Sequence, residues 1–393
     1  MARLIEITGK ALSGEWGSDD DTGNGIPVLR TTNFTNDGIV DYTSVVTRTI
    51  TKKNISDKFL RTGDIIIEKS GGSDKQPVGR VIYFDGAEYT YLFNNFTGLL
   101  RVQDTAKWYP RYVFYALFAN YRNGGTKQYE NKTTGLHNLK TDDYVSRFEI
   151  HEVSLNTQCV VCNILDKIRS IITFRKQQLT ELDTLVKARF VEMFGDIEAG
   201  TCNYPTQRLR DLSTKISDGV HAKPEYTETG RPFLSVVNIN KGVVDFSDCK
   251  YVSEEAYQKM VKSTNPQRGD VLYTKVGATY GIPAYIDTDH EFCLYVSVCL
   301  IKPKHELINA RFLALQMAMP SIKHQADARI KGIGVPDLHL NQISEFMIVC
   351  PPRTLQDDFV AFVEQVDKSK SLVQKALEEA QTLFDSLMQQ YFG

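Results

Sequence analysis

Two polar segments in each half of the chain carry side chains that could hydrogen-bond to nucleic acid. They span residues 68–79, directly before Arg80, and 122–134 in the first half, and 274–281 and 321–331 in the second. Direct readout of base edges needs Arg, Lys, Asn, Gln, Ser or Thr, and glycine allows the backbone to approach closely. The candidate DNA-binding residues are Lys69, Ser70, Ser73, Lys75, Gln76, Arg80, Arg122, Lys127, Gln128, Lys275, Thr279, Tyr280, Lys323, His324, Gln325, Arg329 and Lys331.

For any one of these residues, the alternative is a polar surface side chain that is only solvated. As clusters that recur in both halves, they favour nucleic-acid reading. The net charge of the whole chain is −2, so the chain as a whole is not strongly basic. Because phosphate contacts dominate affinity for DNA, the positive charge must be concentrated in these loops, or partners must supply much of it.

Sequence motifs for catalysis are missing from the chain. It has no Gly-x-x-x-x-Gly-Lys-Ser/Thr phosphate loop, no His-Glu-x-x-His zinc motif and no Asn/Asp-Pro-Pro-aromatic segment of the kind used by amino-methyltransferases. The Cys-Pro-Pro-Arg segment at 350–353 is predicted to start a helix. The absence of these motifs disfavours a self-contained methyltransferase or nuclease.

An acidic pair is the nearest approach to a nuclease site. Asp64 with Glu68 and Lys69 has the right residue types, but the equivalent segment has Asp270 with Thr274 and Lys275. Since the second carboxylate is not shared, Asp64 and Asp270 are predicted to be turn residues that precede a strand.

The seven cysteines are odd in number and scattered, which is typical of reduced thiols in a cytosolic protein. The close pair Cys159 and Cys162 lacks a second pair at zinc-ligand spacing, so we expect small buried side chains on a helix and no metal. No cleavable signal peptide is evident, and the longest apolar run, 113–119, is too short to cross a bilayer. The predicted location is the cytoplasm.

A long internal repeat positions the polar segments. Residues 156–195 return in pattern at 354–393, and both copies end in Phe-Gly. Apolar residues at three- and four-residue steps predict a helix of nearly forty residues in each copy, about 55 Å long at 1.5 Å per residue. Asn156 and Thr354 are the predicted caps. The seam residues are Leu165, Ile168, Ile172, Leu179, Leu182, Val186, Val363, Val366, Val373, Leu377 and Phe384.

The repeat extends beyond the helices. Residues 26–33 return as 231–238, and 63–67 as 269–273. Asn33 and Asn238 lie at equivalent points and are predicted to form turns. The segments before each helix are short, β-branched and aromatic, which favours strands. The predicted domains are therefore 1–153, a mostly-β domain; 154–197, a central spacer helix; 198–352, a second mostly-β domain; and 353–393, a C-terminal spacer helix.

The predicted fold class is α+β, with two homologous domains separated by two long helices that form an antiparallel intramolecular coiled coil with pseudo-twofold symmetry. A single helix of this length has no core of its own, so we expect it to bury its apolar face against its own copy. The short connection from 195 to 208 favours antiparallel pairing. The alternative is two unrelated amphipathic helices, each packed on its own domain.

Taken together, these features resemble the specificity subunit of a bacterial type I restriction-modification system. The resemblance rests on Gly-Asp-Ile-Ile-Ile at 63–67 and Gly-Asp-Val-Leu-Tyr at 269–273 with their glycine loops. It also rests on Phe-Arg-Lys-Gln-Gln-Leu-Thr-Glu-Leu at 174–182, in a helix that closes in Phe-Gly. It covers essentially the whole chain.

The resemblance implies a non-catalytic subunit with two target-recognition domains, each reading one half of a split site in double-stranded DNA. It implies two modification (methyltransferase) subunits docked on the helices and domains, which two ATP-dependent restriction subunits can join. S-adenosylmethionine, ATP and Mg would then belong to the partner subunits. The rival hypothesis is a coiled-coil adaptor that binds other proteins, not DNA, through its two globular ends.

Overall fold

A computed structural model describes residues 1–133, 136–330 and 334–393. The chain divides into two units, Met1–Lys176 with Lys375–Gly393, and Gln177–Gln374. Each unit combines a β-rich domain with part of both long helices. The chain is therefore α+β, as predicted.

The first unit is built from short strands and four helices, the last of which continues into the second unit. Its strands are β1 (Ala2–Arg3), β2 (Leu12–Ser13), β3 (Ser18–Asp19), β4 (Ile26–Leu29), β5 (Val46–Thr49), β6 (Ile65–Glu68), β7 (Ser70–Gly72), β8 (Val81–Tyr83), β9 (Leu92–Phe93), β10 (Thr97–Leu100), β11 (Glu130–Thr133), β12 (Leu136–Leu139) and β13 (Glu149–Ile150). Its helices are α1 (Leu4–Thr8), α2 (Pro110–Arg122), α3 (Thr141–Arg147) and α4 (Leu155–Phe194).

The second unit repeats this plan, and its last helix returns to the first unit. Its strands are β14 (Thr206–Arg208), β15 (Ser213–Asp218), β16 (Arg231–Leu234), β17 (Lys250–Val252), β18 (Val271–Thr274), β19 (Pro283–Tyr285), β20 (Cys293–Leu294), β21 (Val298–Pro303) and β22 (Met347–Val349). Its helices are α5 (Glu254–Met260), α6 (Ala310–Met317), α7 (Pro320–Asp327), α8 (Leu340–Ile343) and α9 (Arg353–Phe392).

The central sheets of the two units correspond strand for strand. The order β2-β10-β6-β8 in the first unit matches β15-β21-β18-β19 in the second. The parallel pair β4-β9 likewise matches β16-β20. The two homologous domains predicted from the repeat are therefore present, and each is organised around the same antiparallel four-stranded sheet.

In the first unit, the beginning of α4 packs against the end of α9. Leu165, Ile168 and Ile172 are buried in one core with Phe384 and Met388, and Leu377 packs against that core. Helix α2 completes this core, since Tyr115 lies 6.4 Å from Phe384 between ring centroids. The predicted seam is therefore the face that these two helices bury.

In the second unit, the end of α4 packs against the beginning of α9. Val186 is buried with Val363 and Val366, and Leu182 packs against the same core. Phe190 packs edge-to-face against Phe359 with 5.5 Å between ring centroids, and further back along α4 Asp183 bonds to Lys370 at 2.5 Å. The earlier residue of α4, Asp183, contacts the later residue of α9, Lys370, so the two segments run antiparallel. Leu179 and Val373 are half-buried.

The start of each long helix differs from the predicted caps. Ser154 caps α4, because its hydroxyl accepts a hydrogen bond from the Thr157 N–H at 3.2 Å. Asn156 is thus the second residue of the helix and not its cap. Thr354 also lies inside its helix, since α9 begins at Arg353 after two prolines. Both predictions were late by two residues, a usual error for helix ends.

A buried glutamine at the same repeat position holds each helix to its domain. Gln158 is fully buried, and its Oε1 accepts from the Tyr109 N–H at 2.8 Å while its Nε2 donates to the Lys107 and Val153 carbonyls. Gln356 accepts from the Asn309 N–H at 2.7 Å and donates to the Pro351 carbonyl at 2.8 Å. These amides satisfy backbone groups that would otherwise be buried without partners.

The turn predictions for the equivalent asparagines and aspartates are confirmed. Asn33 and Asn238 are buried, and each accepts from the backbone N–H three residues earlier at 3.0 Å. Asp64 directly precedes β6 and accepts from the Arg61 N–H at 2.7 Å. Asp270 precedes β18 and accepts from the Gln267 N–H at 2.9 Å. None of these four side chains is free to contact a ligand.

Two segments predicted to be variable loops contain regular structure. Residues 70–72 form β7 and residues 130–133 form β11, which belong to one sheet of order β11-β12-β7. In the second unit, residues 320–327 form the helix α7, so the loop prediction for 321–331 was wrong over this part. Pro320 starts that helix, and Ile322 and Ala326, four residues apart, bury one face.

Cys162 is fully buried on α4, and burial raises the pKa of its thiol. It is thus a small core side chain, as expected from its place on a helix. In the part of the chain that the structure describes, no helix is long and apolar enough to cross a membrane.

Candidate nucleic-acid interface

In the first domain, the sheet β11-β12-β7 brings the two predicted reading segments together. Ser70 of β7 faces Asn138 of β12 in register. Beyond β7 the chain makes a tight turn, in which the Ser73 N–H donates to the Gln76 carbonyl at 2.7 Å. Ser73 and Lys75 are exposed at this turn, while Gln76 is half-buried and donates to Asn36 Oδ1 at 3.1 Å. The turn is therefore a rigid, polar projection.

Lys69 lies at the base of this projection. Its ammonium group donates to the Ser13 hydroxyl at 3.0 Å and is half-buried. Burial lowers the pKa of Lys69, and the nearby carboxylate of Asp142 acts in the opposite direction. The Lys69 ammonium has three N–H donors, and the Ser13 hydroxyl accepts from one of them, so Lys69 keeps hydrogen-bonding capacity for an anionic ligand.

Arg80 has a structural role. Its guanidinium bonds to both oxygens of Glu68, which is 1% exposed, at 3.0 and 2.8 Å. It also donates to the carbonyls of Phe34 and Thr31 at 3.3 and 3.2 Å. The guanidinium donates four hydrogen bonds within the domain, so Arg80 holds the reading segment in place.

The second reading segment of the first domain follows α2. Arg122 is exposed and pairs with Asp385 at 2.9 Å in the same unit. Lys127 and Gln128 are exposed in a 3-10 turn, and Gln128 donates to the Gly125 carbonyl at 3.2 Å. In this segment Lys127 and Gln128 are accessible to a ligand, whereas the charge of Arg122 is partly neutralised by Asp385.

In the second domain, Lys275 is not at the surface. It is 7% exposed and lies between Asp218, at 3.4 Å, and Asp337, at 3.7 Å. Asp218 occupies the repeat position that Ser13 holds in the first domain, so the two equivalent lysines have different partners. Asp218 and Asp337 were missed as site residues, although the repeat already paired Asp218 with Ser13.

Thr279, Tyr280 and Lys323 lie on a second accessible patch. Thr279 is exposed, and Lys323 lies 3.7 Å from the centre of the Tyr280 ring. Asp327 accepts hydrogen bonds from both Tyr280 and Lys323. Burial favours a lower pKa for Lys323, but its bonds to Asp327 and Tyr280 outweigh burial and raise the pKa. Lys323 therefore stays charged at neutral pH.

The other candidates on and after α7 are mostly engaged within the domain. Gln325 exchanges two hydrogen bonds with the backbone of Met347, at 3.1 and 2.8 Å. Arg329 donates to the carbonyls of Gln325 and Glu345 and lies over the Phe346 ring. His324 is exposed and bonds to Glu198 at 2.7 Å. Lys331 lies outside the described residues.

These side chains offer hydrogen bonds and positive charge. Among residues 1–133, 136–330 and 334–393, no group of three or more His, Cys, Asp or Glu is placed to hold a metal ion. The chemistry that the arrangement supports is recognition, with rigid backbone turns presenting a few polar groups on each domain.

Comparison with known proteins agrees with this reading. The family model described as "Type I restriction modification DNA specificity domain" matches residues 4–184 and again residues 204–382. The specificity subunit of the type I restriction enzyme EcoKI from Escherichia coli K12 is 21% identical over 402 residues, covering 93% of this chain and 80% of the relative. The family model matches twice because the chain contains two copies of the repeat.

Solved structures show the same fold. A chain from a structure of the assembly and conformational transition of a type I restriction-modification system has a TM-score of 0.58 at 14% identity, covering 100% of this chain and 96% of that one. The specificity subunit from M. genitalium has a TM-score of 0.53 at 16% identity, with coverage of 100% and 95%. Nothing in these matches supports an adaptor that does not act on DNA. The chain belongs to the family of DNA specificity subunits of type I restriction-modification systems.

Proposed function

We propose that each domain reads one half of a bipartite, asymmetric site in double-stranded DNA. The observation that carries this proposal is that one frame holds two different reading surfaces. The central four-stranded sheets correspond strand for strand. The segment after α2 differs, because it forms a 3-10 turn and the strand β11 in the first domain, whereas the segment after α6 forms the helix α7 in the second. Unlike surfaces on a shared frame present different donors and acceptors, so they select different base sequences.

The accessible members of the candidate set would contact the DNA. In the first domain these are Lys69, Ser73, Lys75, Lys127 and Gln128. In the second they are Thr279, Tyr280, Lys323 and His324. We assign Arg80, Lys275, Gln325 and Arg329 to holding the reading segments in place, because their polar groups are bonded within the domain.

The chain would act without catalytic residues of its own and would place two methyltransferase subunits on the DNA. These would dock on the long helices and the domains, and the helices would set the spacing between half-sites. Two ATP-dependent restriction subunits would join the same complex. S-adenosylmethionine, ATP and Mg would be bound by those partners, and the complex would work in the cytoplasm. The net charge of −2 supports a shared interface in which partners supply phosphate contacts.

Exchanging one domain tests this division of labour. Residues 26–140 would be replaced by the corresponding residues of a related specificity subunit with a different target. We expect the methylated motif in cells to change in one half-site only, because the second reading surface is untouched. The measurement is genome-wide mapping of methylated adenine in cells that express the exchanged chain with its modification partner.

The reciprocal exchange of the second domain is the matched control, and it should change the other half-site. A change in both half-sites after either exchange, or in neither, would refute separate readers. The adaptor alternative predicts no methylated motif that depends on this chain at all.

A further inference from the structure

The second domain contains a cleft of about 470 Å³ that none of the candidate reading residues lines. It lies within Gln177–Gln374 and borders the glycine loop at Val276 and Gly277. Its volume falls in the range of about 300 to 1,000 Å³ that is common for small-ligand sites. The lining residues used below are Tyr226, Phe233, Asp248, Lys250, Tyr295 and Ser297.

Ser297 supplies a hydrogen-bonding group inside the cleft that has no partner. Ser297 is 7% exposed, and its hydroxyl makes no hydrogen bond within the part of the chain that the structure describes. The backbone around it is fixed, because the Lys275 N–H donates to the Ser297 carbonyl at 3.0 Å and the Val298 N–H donates to the Tyr295 carbonyl at 3.0 Å. Since buried polar groups are nearly always bonded, this hydroxyl is free to bond to a ligand group or to an ordered water.

Aromatic rings line one side of the same cleft. Tyr226 packs against Phe233 with 5.8 Å between ring centroids, and Phe233 packs against Tyr295 at 5.9 Å. Each ring is therefore held by its neighbour. Rings fixed in this way are stacking platforms for nucleobases, because every base has a π-face.

The ammonium groups of two lysines lie over the Tyr226 ring, where a bound base would have to displace them. The ammonium group of Lys250 lies 4.4 Å from the centre of the Tyr226 ring, and that of Lys223 lies 5.8 Å away. Both lysines are exposed, and Asp248 is the acidic residue in the lining. A phosphate attached to a base on Tyr226 would lie within reach of these two cations.

The fold itself does not require the cleft. In the first domain, Phe96 holds the position of Ser297, since its carbonyl accepts from the Lys69 N–H at 2.8 Å just as Ser297 accepts from Lys275. Phe96 is 54% exposed and brings no hydroxyl to this point. At this position of the shared frame only the second domain carries a buried hydroxyl, which favours a function specific to that domain.

We propose that this cleft binds a single unstacked nucleobase, which stacks on the tyrosines and accepts or donates a hydrogen bond at Ser297, with its phosphate beside Lys250 and Lys223. One source of the base is a nucleotide extruded from the second half-site. For that source, the proposal rests on the proposed DNA-reading function. The same chemistry could come from a free nucleotide, and the two sources are separated below.

The test uses the full chain with its modification partner and a duplex that carries its methylated motif. A fluorescent base analogue, 2-aminopurine for purines or pyrrolocytosine for pyrimidines, replaces each base of the second half-site in turn. We expect fluorescence to rise several-fold on binding at one position other than the methylated base. Y226L and S297A should remove that rise. Y226L should lower affinity about 5- to 100-fold, and S297A about three- to tenfold.

Lys250 has a different expected signature. K250A should reduce the slope of log affinity against log salt by about 0.9, because it removes one phosphate contact. K259A and S263A are matched controls, since Lys259 pairs with Glu255 and the Ser263 hydroxyl bonds to the Met260 carbonyl, both outside the cleft. S297A removes only an unbonded hydroxyl, so its thermal unfolding should match that of the unmodified chain.

A second arm titrates deoxynucleoside monophosphates against the full chain by calorimetry. Binding that Y226L and S297A abolish, without a fluorescence rise on the duplex, would support the cleft with a free nucleotide as its ligand. Absence of both signals, or a fluorescence rise that persists in Y226L and S297A, would overturn the proposal. If the complex with the original sequence binds the duplex, but Y226L and S297A show the same affinity and fluorescence as the controls, the cleft proposal fails while DNA reading stands. If the unmodified complex does not bind the duplex, the proposed function itself fails.

Discussion

L179P is expected to abolish methylation by the complex while the two β-rich domains stay folded. Leu179 is a half-buried residue near the middle of α4, which runs from Leu155 to Phe194. Proline there removes one backbone hydrogen bond and clashes with the carbonyl four residues earlier, at a cost of about 3 kcal/mol or more. The helix would kink or break where it passes from the first unit into the second.

The measurement is methyl transfer to site-containing DNA by the purified complex, together with thermal unfolding of the full chain. L179A is the control, because alanine keeps the helix and removes only side-chain packing. We expect L179A to retain most activity. Full activity in L179P, at the same complex stoichiometry, would contradict the spacer role of the helices.

R101M is expected to destabilise the first domain by about 3 to 5 kcal/mol, because it leaves a buried carboxylate without its counter-charge. Asp64 is 2% exposed, and its two oxygens bond to the Arg101 guanidinium at 2.7 Å each. Arg101 also donates to the carbonyls of Asp57 and Phe59 at 2.9 Å. The change therefore removes four hydrogen bonds at once.

Calorimetry of the full chain should show an earlier unfolding transition for the first domain, lower by about 6 to 20 °C at about 2 to 4 °C per kcal/mol. The double variant D64N/R101M should recover much of this loss, since the neutral amide can still accept from the Arg61 N–H. A double variant that is as unstable as R101M would mean that the charge imbalance is not the cause. The Asp270–Lys302 pair at 2.5 Å offers the matched site, where K302M should affect the second domain instead.

The fold was predictable from the repeat, because the repeat encodes packing. Seam residues such as Ile168 and Val366 recur at helical steps, and an apolar face of that length has to be buried by a partner helix. The paired asparagines, Asn33 and Asn238, were also recognisable as turn residues, since their role depends on neighbours only a few positions away. Local sequence was sufficient in these cases.

The environment of the reading residues was less predictable, because distant parts of the chain determine it. Lys275 looked like a surface reader, yet Asp218 and Asp337 approach it from 57 positions before and 62 after in the sequence. Arg80 is bonded to Glu68 across a hairpin. Polarity alone cannot separate a side chain that contacts a ligand from one that is bonded to its own domain.

The helix α7 and the cleft in the second domain each left a weak signal in the sequence. The spacing of Ile322 and Ala326 favours a helix, although the segment 321–331 is polar enough to resemble a loop. Tyr226, Lys250 and Ser297 come from separate strands and turns, so their common cleft exists only after folding. Its one sequence signal was the difference between Phe96 and Ser297 at matching places in the repeat.

The methylated motif in DNA from cells that express this chain with its modification partner tests the central claim most directly. Two reading domains of different surface on one shared frame predict two unlike half-sites, separated by a run of unspecified bases of constant length. A continuous motif, or two identical half-sites, would contradict the assignment of one half-site to each domain.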